Sequence, residues 1–157
     1  MQKITPFLWF DGKAEEAAKF YTSIFKNSKI TGVARYPEGT PGQAGTVMTV
    51  SFELHGRRCL ALNGGPQFKF NESISFVVNC ETQQEIDELW EKLSAGGQKV
   101  QCGWLKDKYG VSWQVVPTVL GKLFQDKDGA KTKRVGEAMM QMKKLDIATL
   151  QRAYAGR

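Results

Sequence analysis

The side chains best placed to meet a ligand in this sequence are amides, hydroxyls and aromatics. Thr5, Phe7 and Trp9 alternate along one short apolar run, and Ser73, Ser75 and Val77 along another. Alternation puts each set on one side of an extended strand. Ser112, Gln114 and Val116 repeat the pattern, Trp104 follows Gly103, and Asn63 precedes a Gly64-Gly65-Pro66 turn that leads to Phe68 and Phe70. Aromatic walls with a few hydrogen-bonding groups suit a small organic molecule. They do not suit proton transfer, because none of these side chains ionises near neutral pH.

The other reactive residue types are scattered. His55 is the one histidine and falls in a Leu54-His55-Gly56 turn, while Lys106, Asp107 and Tyr109 fall in a second turn where exposure is expected. Cys59, Cys80 and Cys102 are odd in number and widely spaced. That fits neither a disulfide framework nor a zinc motif, and the three read as buried, reduced thiols. No glycine-rich loop follows the first strand with an acidic residue closing the next, so no nucleotide-type cofactor is expected, nor any other.

Strands and helices must carry these residues. Lys3 to Phe10 suits a strand with a proline near its start, sending Ile4, Leu8 and Phe10 to the side where a helix packs. Asp11-Gly12 then turns into that helix, whose apolar stripe is Ala14, Ala17, Ala18, Tyr21, Ile24 and Phe25, and Asn27-Ser28 ends it. Lys29 to Tyr36, Thr46 to Leu54 and Arg58 to Asn63 follow as strands, separated by Pro37 to Gly45 and by His55-Gly56. The order is β-α-β-β-β.

The same order returns seventy residues further on. Ser73 to Cys80 reads as a strand, and Thr82-Gln83-Gln84-Glu85 has capping-box spacing. Ile86, Leu89, Trp90 and Leu93 form a helical stripe closed by Ala95-Gly96-Gly97. Gln98 to Leu105, a short stretch near Lys106 to Tyr109, and Val111 to Val116 supply the remaining strands. After Pro117 the pattern is helical, with Val119 to Phe124, then Val135, Ala138, Met139, Met142 and Leu145, and then a last helix to Tyr154 capped by Asp146. The expected fold is α+β: a single domain with two tandem modules, 1–70 and 71–117, and a helical tail, 118–157.

A chain of 157 residues, 41% hydrophobic and 24% charged, is the size of one globular domain. Its formal charge of +6 is concentrated in residues 129–157, where seven basic residues face two acidic ones. With no interleaved aromatic beyond Tyr154 this reads as a solvated helical face, so no nucleic-acid partner is expected. No apolar run approaches the ~20 residues of a membrane span, and the first residues lack a signal-peptide pattern. A cytoplasmic location without membrane contact is the expectation.

Four segments resemble one family: ITPFLWFDGKAEEAAKFY (Ile4 to Tyr21), LNGGPQFKF (Leu62 to Phe70), CGWLKDKYGVSWQVVP (Cys102 to Pro117) and MMQMKKLDI (Met139 to Ile147). They are similar to PhnB-like proteins of the vicinal oxygen chelate superfamily, which includes glyoxalases and bleomycin-resistance proteins and whose members are also called 3-demethylubiquinone methyltransferase domains. The resemblance implies two modules curled around a ligand cavity. In metal-dependent relatives the ligands stand on the first and last strands of each module, positions that fall here on Thr5, Asn63, Ser73 and Gln114. Only Gln114 is of a type such a site uses, so no metal is expected.

The resemblance also implies a homodimer, with the Met139, Met140 and Met142 face as a packing surface. The function expected is binding of a small-molecule ligand, with Thr5, Phe7, Trp9, Asn63, Phe68, Phe70, Ser73, Ser75, Trp104 and Gln114 as contacts. The alternatives are a glyoxalase-like enzyme using Gln114 with other ligands, and a protein-interaction module.

Overall fold

Residues 2–157 are described by a computed structural model. They form two compact units, residues 2–70 and 71–157.

The first unit holds β1 (Phe7–Phe10), α1 (Ala14–Ile24), β2 (Lys29–Arg35), β3 (Val47–Leu54) and β4 (Arg57–Asn63). Its sheet order is β1-β4-β3-β2, with β1 parallel to β4 and the other pairs antiparallel. Ala14, Ala17, Ala18 and Tyr21 of α1 are buried, as are Leu8, Phe10, Val50, Phe52, Cys59 and Ala61 of the sheet. Alanines let the helix lie close, and Tyr21 stacks on Phe52 with ring centroids 6.3 Å apart. Both residues of the β3–β4 turn have positive φ, 48° at His55 and 78° at Gly56, as a tight two-residue hairpin requires.

The strand expected from Lys3 begins only at Phe7. Pro6 has no amide to give to a ladder. Gln2 supplies the substitute: its side chain accepts from Arg58 N at 3.0 Å and donates to Arg58 O at 2.9 Å, as a strand residue's backbone would. Ile4, expected on the helix side, is 86% exposed as a result.

The second unit repeats the arrangement with β5 (Ser75–Cys80), α2 (Gln83–Ser94), β6 (Gln98–Lys99), β7 (Trp104–Lys106) and β8 (Ser112–Pro117), in the order β5-β8-β7-β6. The Thr82 hydroxyl accepts from Glu85 N at 3.2 Å, and Glu85 reaches back to Glu81 N at 3.0 Å, one residue beyond the expected capping-box partner. The run from Gln98 to Leu105 is broken, because Cys102 and Gly103 both adopt positive φ.

Three further helices belong to this unit: α3 (Thr118–Phe124), α4 (Gly129–Met140) and α5 (Ile147–Ala155). Leu120, Leu123, Val135, Leu145 and Leu150 make a second core, flanked by Val116, Val119, Met139, Met142 and Tyr154. Asp146 caps α5, accepting from Thr149 N at 2.7 Å. Gln83 of α2 clamps the tail, donating to Leu145 O at 3.0 Å and accepting from Ile147 N at 2.8 Å. Lys144 pairs with Asp87 at 2.9 Å. Among the described residues no helix is long and apolar enough to cross a membrane.

Candidate functional site

Each sheet packs one face on its helix and leaves the other available. In module one the strand register sets Phe7, Leu60, Ser51 and Gly32 side by side, then Trp9, Leu62, Thr49 and Ala34 in the next row. Phe7 is 53% exposed and the flanking Leu8 and Phe10 are buried, the alternation expected of β1. The third row holds Arg58, Glu53 and Lys29. Glu53 is therefore an ionisable group on the same face as Ser51 and Thr49, which the sequence reading did not count. Its signal was available, since Thr49, Ser51 and Glu53 alternate along one strand.

The rim of this face is built on Trp9. Its indole donates to Gly65 O at 2.9 Å, and Phe68 meets it edge-on with centroids 4.9 Å apart. A Cβ at Gly64 would lie 2.3 Å from the Trp9 ring, so only glycine lets the backbone lie flat on the indole. Phe68 is 65% exposed. Phe70 goes the other way: it packs edge-on to buried Phe10 at 5.1 Å, on the helix side of β1.

Asn63 proves to be a structural joint. Its Oδ1 accepts from Ala14 N at 2.8 Å, its Nδ2 donates to Val47 O at 3.1 Å, and its carbonyl accepts from the Tyr36 hydroxyl. Lys13 at the start of α1 makes no side-chain cap, so Asn63 serves an amide that would otherwise lack a partner. Thr5 lies ahead of β1, half-buried, with its Oγ1 3.5 Å from Gln2 Nε2.

In module two the available face carries Ser75, Val77, Ser112, Gln114, Trp104 and Lys106. Gln114 Nε2 donates to Ser75 Oγ at 2.9 Å, and Trp104 pairs with Gln114 across β7 and β8. Val116, expected on the same face, packs against the C-terminal core. Ser73 lies outside the sheet, in the turn before β5, where its hydroxyl donates to Asn71 Oδ1 at 2.6 Å.

The turn expected to expose Lys106 and Asp107 does neither. Lys106 ends β7, half-buried and paired with Glu72. Asp107 is 3% exposed, and its carboxylate accepts from Tyr109 N at 2.8 Å, Val111 N at 3.1 Å and the Trp113 indole at 2.9 Å. The D-x-x-G-x-x-W spacing is thus a loop wrapped around one carboxylate.

Cys59 and Cys80 are buried as expected, and Cys102 is only half-buried. Burial pushes the Cys80 thiol up to about 12, with the Glu85 charge adding to it, and burial raises Cys59 as well. Neither can act as a thiolate near neutral pH. His55 is exposed in its hairpin turn, with its backbone amide on Ser28 Oγ at 3.0 Å.

The family model for 3-demethylubiquinone-9 3-methyltransferase matches residues 2–116. Among solved structures, the PhnB protein of Bacillus cereus, described by the same family term, is 43% identical, with 74% of this chain and 100% of that chain covered and a TM-score of 0.69. Protein PA1353 of Pseudomonas aeruginosa is 20% identical over 74% of this chain and 98% of its own, with a TM-score of 0.61. The fosfomycin resistance protein FosX of Listeria monocytogenes, complexed with Mn(II), is 14% identical over 72% of this chain and 90% of its own, with a TM-score of 0.53. No curated protein matches.

The metal of FosX does not fit the residues present here. Of the four positions to which the resemblance assigns ligands, Asn63 is committed to α1 and β3, Thr5 and Ser73 are hydroxyls outside the sheets, and Gln114 is a neutral amide bonded to Ser75. Such donors do not neutralise a dication. Among the described residues no three His, Cys, Asp or Glu side chains come together as a metal-binding group.

Proposed function

This chain belongs to the 3-demethylubiquinone-9 3-methyltransferase family, whose PhnB-like members have the vicinal oxygen chelate fold, and from that membership we propose that it holds a small, partly aromatic organic molecule against a sheet face turned away from its helix. The observation that carries this reading is the face of module one. Phe7 and Phe68 are 53% and 65% exposed, and Trp9 stands between glycines and Phe68 as a fixed wall. Exposed aromatics held by neighbours rather than by a core are what a binding surface offers. Ser75, Trp104 and Gln114 supply the corresponding wall and hydrogen-bonding groups in module two. Asn63 takes a positioning role, Phe70 backs the wall from the helix side, and Thr5 and Ser73 are flanking residues.

A metabolite screen by thermal shift, run with and without divalent ions, tests the reading. A ligand that binds only the folded protein raises its melting temperature saturably. A broad library with no such compound sinks it. The same reading takes the protein as a cytoplasmic homodimer; of the Met139, Met140 and Met142 face, Met139 and Met142 pack against the C-terminal core, which leaves Met140, 62% exposed, to the interface. Sedimentation as a monomer at micromolar concentration overturns the dimer.

A second reading, a glyoxalase-like enzyme, is favoured by Glu53, the carboxylate on the module-one face. It requires turnover that depends on an added divalent ion and falls in Glu53→Gln.

A further inference from the structure

One polar atom on the available face of module two lacks what the others have. Ser112 is 1% exposed, and its Oγ is the buried side-chain oxygen or nitrogen without a hydrogen-bond partner among the described residues. Buried hydroxyls are nearly always satisfied, so this one calls for a reason. Its neighbours are informative. Ser75 pairs with Ser112 from β5, and Lys106 pairs with it from β7, so the three side chains rise from one face in one row.

Lys106 is ion-paired with Glu72, three residues ahead of Ser75. Since β8 lies between β5 and β7, that pair ties the end of β7 to the segment leading into β5, on either side of β8. Two strand spacings amount to about 10 Å, a gap that a lysine and a glutamate side chain can span together. The pair is thus a strap between β7 and the segment leading into β5, beside the row. The Glu72 side chain is 59% exposed and that of Lys106 31%, so the carboxylate is the end open to replacement. Lys106 holds the Glu72 carboxyl below its usual range, so Glu72 is ionised at neutral pH.

Resting on the small-molecule reading above, we infer that this row receives a carboxylate group of the ligand, which takes the place of Glu72 on Lys106 Nζ and gives Ser112 Oγ its missing acceptor. Three donors then converge on the carboxylate. The ammonium brings charge, and Ser112 brings a hydroxyl that has no partner among the described residues. Ser75 Oγ already accepts from Gln114 Nε2 at 2.9 Å, which leaves its own hydrogen to donate. A carboxylate has lone pairs for all three. Trp104, next to Gln114 across the ladder, offers the ligand's body an aromatic surface. Glu72 is the internal stand-in that keeps Lys106 neutralised until the ligand arrives.

The test is calorimetric titration of the full chain with pairs of aromatic and aliphatic monocarboxylates and their neutral amides, phenylacetate with phenylacetamide among them, and with benzylphosphonate. The preferred carboxylate should bind on the order of tenfold more tightly than its amide, and Lys106→Met should remove that preference. Ser112→Ala should weaken binding several-fold while leaving the ligand-free melting temperature unchanged or raised. Glu72→Gln, which keeps Lys106 in place, should strengthen binding several-fold by releasing the strap.

Amides that bind as well as their acids overturn the carboxylate inference and leave the small-molecule reading standing. So does a preference for benzylphosphonate, or an unchanged or lower affinity in Glu72→Gln. No carboxylate binding at all overturns the inference too, and the metabolite screen then decides the broader reading by itself.

Discussion

The two modules share a topology and differ in what locks it. In module one the lock is Asn63, a half-buried neutral amide that joins the first turn of α1 to β3. In module two it is Asp107, a buried carboxylate that gathers two backbone amides and an indole from residues 109–113. Module one caps its helix from a strand 49 residues away, and module two caps its own from Thr82 and Glu85 next door. A repeated fold therefore does not repeat its fastenings. One copy relies on long-range amide bonding, the other on short-range charge and local caps.

That contrast can be broken most sharply at Asp107. Asp107→Ala removes the acceptor that the Tyr109 and Val111 amides and the Trp113 indole share and is expected to cost about 3–5 kcal/mol, read as a loss of denaturation midpoint. Asn63→Ala removes two bonds, one of them the side-chain bond to the Ala14 amide of α1, and should cost about 2–3 kcal/mol, with amide exchange rising first at Ala14. Thr82→Ala should cost about 1 kcal/mol, because the Glu85 carboxylate still serves Glu81 N.

The smallest effect concerns the tail of module two. Asp87, Asp126 and Asp146 are all held below the usual aspartate range. For Asp87 the main cause is the Gln83 side-chain bond, for Asp126 the Tyr154 hydroxyl, and for Asp146 the Thr149 amide. A depressed carboxyl contributes stability above its unfolded value near ~3.9 and loses it as pH falls through the folded value. The tail should stay docked at pH 5 and loosen below about pH 4, seen as faster amide exchange in α5 while module one is unchanged. Loosening that begins in module one reverses the comparison.

These fastenings also mark where sequence stops being readable. Capping-box spacing, the Asp146 cap, the helix stripes and the β-α-β-β-β repeat are local patterns, and the elements they imply are present. The bonds of Asn63 and Gln2 reach 49 and 56 residues along the chain. No spacing rule announces them, which is why Thr5 was expected inside a strand that Gln2 instead completes from outside. Asp107 and Lys106 misled for a different reason. Turn composition says that a loop bends, and it does not say which side chains the bend encloses. Phe68 and Phe70 share a residue type and a parity, yet one stands beside Trp9 and the other beside Phe10. Outside a strand, alternation assigns no face.

The Gln83 clamp has a consequence for how the protein is made. All strands of module one and its helix lie within the first 70 residues, so its sheet can close while later residues are still being added. Module two cannot finish so early. Gly103 N bonds Lys143 O at 2.7 Å, Cys102 N bonds Met142 O at 2.8 Å, and Gln83 waits for Leu145 and Ile147. During synthesis the second sheet therefore spends the time needed for some thirty residues, a few seconds at about 5–20 residues per second, with its tail-facing side uncovered. A stalled or truncated chain would present that side to proteases and chaperones while its first module was already complete.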